Sequence, residues 1–182
     1  MFQSLADKVV TGVISLSMLL FSSYEGNKAK FSDIDTAFLQ NSLVIRTQLF
    51  EAFENDFDDI MKSGAEIDVF FSLSLWEKRQ VIHEVQFRHS VSFQPMKQVY
   101  QVVLEERDKK YLLTSYEQVI NEISRVEYLY DGETPEKFQI KITAYLDKMK
   151  LDNNPNEYDL MMLWNFKKPH TKKTIIKSEN EI

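Results

Sequence analysis

Between Ala65 and Phe93 apolar and polar residues alternate with a period of two through two consecutive segments. Ile67, Val69, Phe71, Leu73 and Leu75 share one side of the first segment, and Val81, Val85, Phe87, Val91 and Phe93 share one side of the second. Strand side chains alternate between faces, so this spacing predicts two long strands with one buried and one wetted surface. Lys78-Arg79 mark the turn between them. Pro95 ends the second, because proline cannot donate to a ladder.

The flanking chain reads as short elements joined by short turns. Phe31 to Leu39 and Ser42 to Leu49 are predicted strands around Gln40-Asn41, where Asn tolerates the left-handed backbone of a tight hairpin. Phe50, Phe53, Phe57, Ile60 and Met61 then fall at helical spacing, with Lys62 near the C-terminal end and Gly64 just past it. Lys97 to Glu105 and Lys110 to Leu113 predict a hairpin around the charged turn Glu106 to Lys109. Thr114 and Ser115 precede Glu117 and Gln118 by three residues each, so either pair offers a capping box to a second helix. Its apolar stripe is Val119, Ile120, Ile123 and Val126 or Leu129. Asp131 to Pro135 then launches a one-sided strand, Phe138, Ile140, Ile142, Ala144 and Leu146. Asp152 to Asn156 reads as a loop, and Leu160, Met162, Trp164 and Phe166 as a final strand.

Short turns make consecutive strands antiparallel, which excludes a doubly wound parallel sheet. The expected fold is mainly β, an antiparallel sandwich-like domain with two helices; the alternative is a single curved sheet packed on both helices. Residues 1–26 read as a signal peptide or membrane anchor, 27–166 as one strand-rich domain, and 167–182 as a lysine-rich flexible tail.

The assignment of residues 1–26 rests on Val9 to Phe21, which carry no charge and follow Lys8. As a helix that run spans roughly 20 Å, the length of a signal sequence and short of a ~30 Å hydrocarbon core. Phe21 and Tyr24 break the small-x-small pattern of a cleavage site, and Asp7 weakens the positive flank. A buried or partner-covered amphipathic helix is the competing reading. Export, cleaved or anchored, places the domain on the outer side of a cytoplasmic membrane.

Composition then removes whole classes of chemistry. The chain has 182 residues, 43% of them hydrophobic, enough for one sizeable core. Its net charge of -6 disfavours nucleic acid, whose phosphates need a contiguous basic surface. Cysteine is absent, which closes disulfides, thiolate catalysis and cysteine-ligated metals. The four glycines are scattered, so no phosphate-cradling loop or dinucleotide turn can form. Nucleophile elbow, zinc-protease helix and kinase signatures are missing as well.

Ionisable residues offer only weak constellations. His83 and His89 share a strand face but stand ~20 Å apart along it, too far to share a metal, and each reads as a satisfied, partly buried histidine. Asp152, Asn154 and Asn156 imitate a calcium loop, yet Glu157 and Leu163 occupy the places of its glycine and bidentate glutamate. Asp33 with Asp35, Asp58 with Asp59 and Glu105 with Glu106 read as solvated pairs rather than convergent catalytic carboxylates. No catalytic, cofactor-binding or metal-binding residue is assigned, and the chain reads as a non-enzyme.

The order "AFENDFDDIMKSGAEIDVFFSL", "VIHEVQFRHSVSF", "KQVYQVVLEERDKKYLLTSYEQVINEISRV" and "KITAYLDKMKLDNNPNEYDLMMLWNF" resembles a bacterial family described as domain of unknown function 4390. The resemblance runs from Phe31 to Phe166. Its landmarks are Gly64, Tyr111-Leu112, Leu146-Asp147 with Leu151, and Trp164. It implies an N-terminal signal or anchor before a strand-rich envelope domain, and no activity.

Aromatic residues make up 13% of the chain, and some fall on nominally polar strand faces. Phe70, Trp76, Ile82, Tyr100 and Val102 would form either a second buried layer or an exposed patch for a partner. Lys167, Lys168, Lys172, Lys173 and Lys177 form a solvated tail or a contact for anionic lipid. The expected function is a non-enzymatic binding or assembly module of the bacterial cell envelope, meeting an envelope protein through a sheet edge or the second aromatic face, with membrane association through residues 9–21. The alternative is a carrier of a small apolar ligand in a cavity of the sheet.

Overall fold

The alternation that begins at Ile67 builds the longest ladders of the molecule. The computed structural model describes residues 26–39, 42–54, 57–150 and 157–177. In chain order these form β1 (Lys30–Phe31), β2 (Asp35–Leu39), β3 (Ser42–Phe50), α1 (Phe57–Lys62), β4 (Ile67–Glu77), β5 (Gln80–Gln94), β6 (Val99–Leu104), β7 (Lys109–Leu113), α2 (Tyr116–Ser124), β8 (Arg125–Tyr130), β9 (Lys137–Leu146), β10 (Lys148–Lys150), β11 (Glu157–Asp159) and β12 (His170–Ile176). The expected leader at Val9 to Phe21, the Gln40-Asn41 turn and the loop from Asp152 to Asn156 lie outside the described residues. Among those described, no helix is long and apolar enough to cross a membrane.

Among the described residues every strand pairing is antiparallel and two helices accompany the strands, so the fold is mainly β, as expected. The large sheet has six strands in the order β12-β9-β4-β5-β6-β7. The smaller one centres on β3, with β1 and β2 along one edge and β8 along the other. Ile67, Val69, Phe71, Leu73 and Leu75 are fully buried, as are Ile140, Ile142 and Ala144 beside them on β9. The small sheet covers this inner face over β4 and β5 through Phe31 against Phe71 and Tyr128 stacked on Phe87. Over β5 and β6 the cover is helical, from Phe57, Ile60 and Met61 of α1 and from Val119 and Ile123 of α2. The layering is therefore a sandwich on one part of the large sheet and a helix-covered sheet on the rest.

Local chemistry explains the boundaries. Ser115 caps α2 by accepting from the Gln118 amide at 3.3 Å. Gly64 follows α1 with φ of 94°, a conformation few other residues adopt. Tyr100, on β6, donates to Asp58 of α1, and Asp58 also accepts from Lys62 at 2.6 Å. Burial, aided by the Asp58 carboxylate, pushes the Tyr100 phenol up to about 12. At Ser32 to Ile34 the first predicted strand breaks, and Lys173 of the large sheet donates across the layers to the freed Ile34 carbonyl at 2.7 Å.

Five expectations give way. The first helix begins only at Phe57; Phe50 belongs to β3 and Phe53 to the bend after it, although Phe53 is buried. The second helix stops at Ser124, and Arg125–Tyr130 pairs along β3 as β8, burying Val126 and leaving Leu129 half exposed. Leu160–Trp164 forms a 3-10 turn, capped by the Asp159 carboxylate on the Met161 amide at 2.9 Å. A 3-10 turn sends adjacent residues inward, so Leu160, Met161, Leu163 and Trp164 are all buried. The lysine-rich tail is a strand for much of its length, because His170–Ile176 pairs with β9 residue for residue. Finally, a register shift opposite Leu75 and Trp76 inverts the parity of β5, turning Ile82 toward the core and leaving Val81 38% exposed.

Ending the chain at Pro169 removes β12 with buried Ile175 and the Lys173 bond, so it should cost at least about 3 kcal/mol. Urea unfolding measures it; an unchanged midpoint would restore the frayed-tail reading.

Candidate functional site

Among the described residues no strand or helix lies over the outer face of the large sheet. The pleat that sends Phe71 and Leu73 inward sends Phe70, Ser72, Ser74 and Trp76 outward on β4. Phe70 lies opposite Tyr145 of β9, and the two rings stack with centroids 5.1 Å apart and planes 10° from parallel. Tyr145 is held from two further sides, by Gln86 donating to its hydroxyl and by the Lys168 ammonium 4.8 Å above its ring. Arg88 flanks Phe70 and bridges Asp68 at 3.3 Å and Glu105 at 3.1 Å. Those two carboxylates, Asp68 foremost, raise the guanidinium above its ordinary range.

Trp76 sits on the same face, nearer the β4–β5 turn, with its Nε1 donating to Ser74 Oγ at 2.8 Å. It borders an open groove of about 880 Å³ whose other walls include Pro135, Phe138, Gln139 and Thr174. Glu77, Lys78, Glu136 and Lys137 line the groove as well. Such a mixed lining suits a peptide or a polar surface better than a wholly apolar ligand.

The five residues singled out from sequence do not converge. Phe70 and Trp76 share the outer face, as their spacing requires. Tyr100 and Val102 face the core, 2% and 0% exposed, because β6 pairs Tyr100 with Phe93 and Val102 with Val91 on the inner side. Ile82 packs on the core at the bulge. Sequence reasoning missed Tyr145, whose strand it identified and whose outward parity follows from that of Ile142 and Ala144.

It also missed a buried polar cluster. His89 and Glu106 have fully buried side chains, and His89 Nε2 lies 2.9 Å from Glu106 Oε2. On its other edge His89 donates from Nδ1 to the Ile123 carbonyl at 2.8 Å, near the end of α2. Arg107 completes the cluster, with Nε 3.1 Å from the second Glu106 oxygen and a donor 2.9 Å from the Arg125 carbonyl. Both imidazole nitrogens are committed, so this ring ties β5, α2 and the turn after β6 together rather than serving a substrate. Glu106 is thus no solvated turn residue, whereas its neighbour Glu105 is exposed on Arg88. His83 is satisfied too, 2.9 Å from the Tyr128 hydroxyl across the two sheets. Among the described residues no three His, Asp or Glu side chains group as a metal site.

A family model, domain of unknown function (DUF4390), matches residues 26–172. The chain belongs to the DUF4390 family. Comparison with curated proteins gives no match, and comparison with solved structures gives none. In this DUF4390 domain the sequence landmarks are structural. Gly64 stops α1, Leu146 lies in the core, and Trp164 is buried with its Nε1 donating to the Ala52 carbonyl at 2.7 Å. Asn27 donates to the same carbonyl at 3.0 Å, and its own amide donates to the Leu163 carbonyl at 2.7 Å, so the start of the matched region is fixed to its end. Tyr111 and Leu112 lie on β7, and Leu151 lies outside the described residues.

The buried cluster makes a sharp contrast between adjacent glutamates. Glu106→Ala strands the His89 and Arg107 side chains in the core and should cost about 3–5 kcal/mol in urea unfolding. Glu105→Ala removes an exposed pair and should cost no more than about 1 kcal/mol. Equal costs would refute the buried-cluster assignment.

Proposed function

We propose that this DUF4390 domain is a non-enzymatic binding and assembly module of the bacterial cell envelope, held on the outer side of the cytoplasmic membrane by its apolar N-terminal segment. One observation carries the reading: the outer face of the six-stranded sheet presents Phe70, Tyr145 and Trp76, half-buried, on a surface that no other described element covers. Aromatic rings flanked by Arg88 and lysine stems are the composition of interface hot spots. Capture through the open sheet edges is less favoured, since β7 carries Lys109 and Lys110 and β12 carries Lys172 and Lys173, the charges that keep edges from pairing. The carrier reading fares worse, because the inner faces of β4 and β9 are filled and the groove beside Trp76 is rimmed by charge.

A photo-crosslinker at Tyr145 in cells should yield a discrete adduct in the membrane fraction. Phe70→Ser with Trp76→Ser should abolish it while shifting the melting temperature by only a few degrees. An undiminished adduct would remove the outer face from the reading, and a full-length chain recovered from cytosol would remove the envelope.

A further inference from the structure

The chain carries an excess of acid, yet lysines without acidic partners lie along the β12 side of the large sheet and beside the start of the described chain. Lys167 and Lys168 leave the 3-10 turn and line a shallow depression of about 470 Å³ with Ala29, Lys30 and His170. A second depression adjoins it through Ala29 and Lys167 and adds Lys28. Farther along β12, Lys172 lies directly opposite Lys141 of β9, both exposed on the outer face. Like charges in such a pair repel, so the sheet retains them at a cost. Lys30 is neutralised by Glu51, but Lys28, Lys141, Lys167, Lys168 and Lys172 make no ion pair among the described residues. Of the outward acids on the adjoining strands, Glu84 lies two strands from Lys141 across Ser74, and Asp68, two residues from Phe70, is already held by Arg88.

The position of this patch identifies its occupant. Asn27 is pinned to Leu163 and Ala52, so the chain enters the domain between Lys28 and Lys167. The uncharged run Val9 to Phe21 ends five residues before Gly26, and five extended residues reach at most about 18 Å. Once that run is seated in a bilayer, the lysines are held within reach of the headgroups. We infer that the surface formed by Lys28, Lys141, Lys167, Lys168 and Lys172 docks this domain onto an anionic phospholipid surface beside its own membrane segment. The inference rests on the anchored reading of the N-terminal residues. Each lysine lying against an anionic surface strengthens association severalfold, and long stems let the ammonium groups reach phosphates.

Flotation of the full chain with phosphatidylcholine vesicles, with and without phosphatidylglycerol, separates the two ideas. The chain should bind both through Val9 to Phe21 and bind the anionic vesicles at least about tenfold more strongly, an increment abolished by high salt. Lys167→Glu, Lys168→Glu and Lys172→Glu together should erase the increment and leave binding to phosphatidylcholine. The corresponding triple arginine variant should keep the increment, and both variants should retain the wild-type urea midpoint within the range of exposed substitutions. Equal binding to both vesicles, or an increment that survives the glutamate variant, overturns lipid docking while the anchor stands. Binding to neither overturns docking and anchor together. Tighter binding to soluble polyphosphate or single-stranded DNA than to anionic vesicles would assign the patch to a polymer and overturn lipid docking.

Discussion

The inner face of β4 is the constraint around which the molecule is arranged. Five consecutive inward side chains, Ile67 to Leu75, are excluded from water, and no single neighbour is large enough to cover them. β9 and β5 extend that apolar surface sideways, and the small sheet, α1, α2 and the 3-10 turn close it from above. Burying one such side chain yields roughly 1.5–3 kcal/mol, so the shared face outweighs any surface ion pair by a wide margin. Polar ties act as positioning elements on that apolar base. Lys173 on Ile34, His83 on Tyr128 and His89 on Ile123 each fix one covering element over the large sheet.

What the alternation revealed and what it hid follow from the same physics. β4, β5 and β9 are long and one-sided, so a period of two is unmistakable there. Ser115 and Gly64 were legible because caps depend on residue type at one position. β8 reads as a continuation of the preceding helix because Ile123 and Val126 suit a helical stripe as well as a strand; only Val126, Tyr128 and Tyr130 at alternate positions betray the change of period. β12 was hidden by lysines. Its inward positions are Thr171, Lys173 and Ile175, and only Ile175 is apolar, so an edge strand half covered by its partner resembles a solvated tail. The bulge that swaps Val81 and Ile82 has no local signature, since it answers to register with β4.

The surface was legible only in part. Outward placement of Phe70 and Trp76 followed from parity, but Tyr100 and Val102 needed the pairing of β6 with β5 to be placed inside. Glu106 looked like one more charge in a turn; its burial depends on His89 and Arg107, one of which is distant in sequence. Membership of the DUF4390 family brings no chemistry of its own. The described surface nonetheless divides by character. One sheet face is sealed, and the other presents the rings of Phe70, Tyr145 and Trp76 together with Lys141 and Lys172.

Amide hydrogen exchange on the intact chain tests the central claim most directly. If the sealed face of β4 organises the fold, the amides of Val69 to Leu75 exchange only through global unfolding and are the slowest in the molecule, with those of edge strand β7 faster. Rapid exchange across Val69 to Leu75 while β7 stays protected would contradict it.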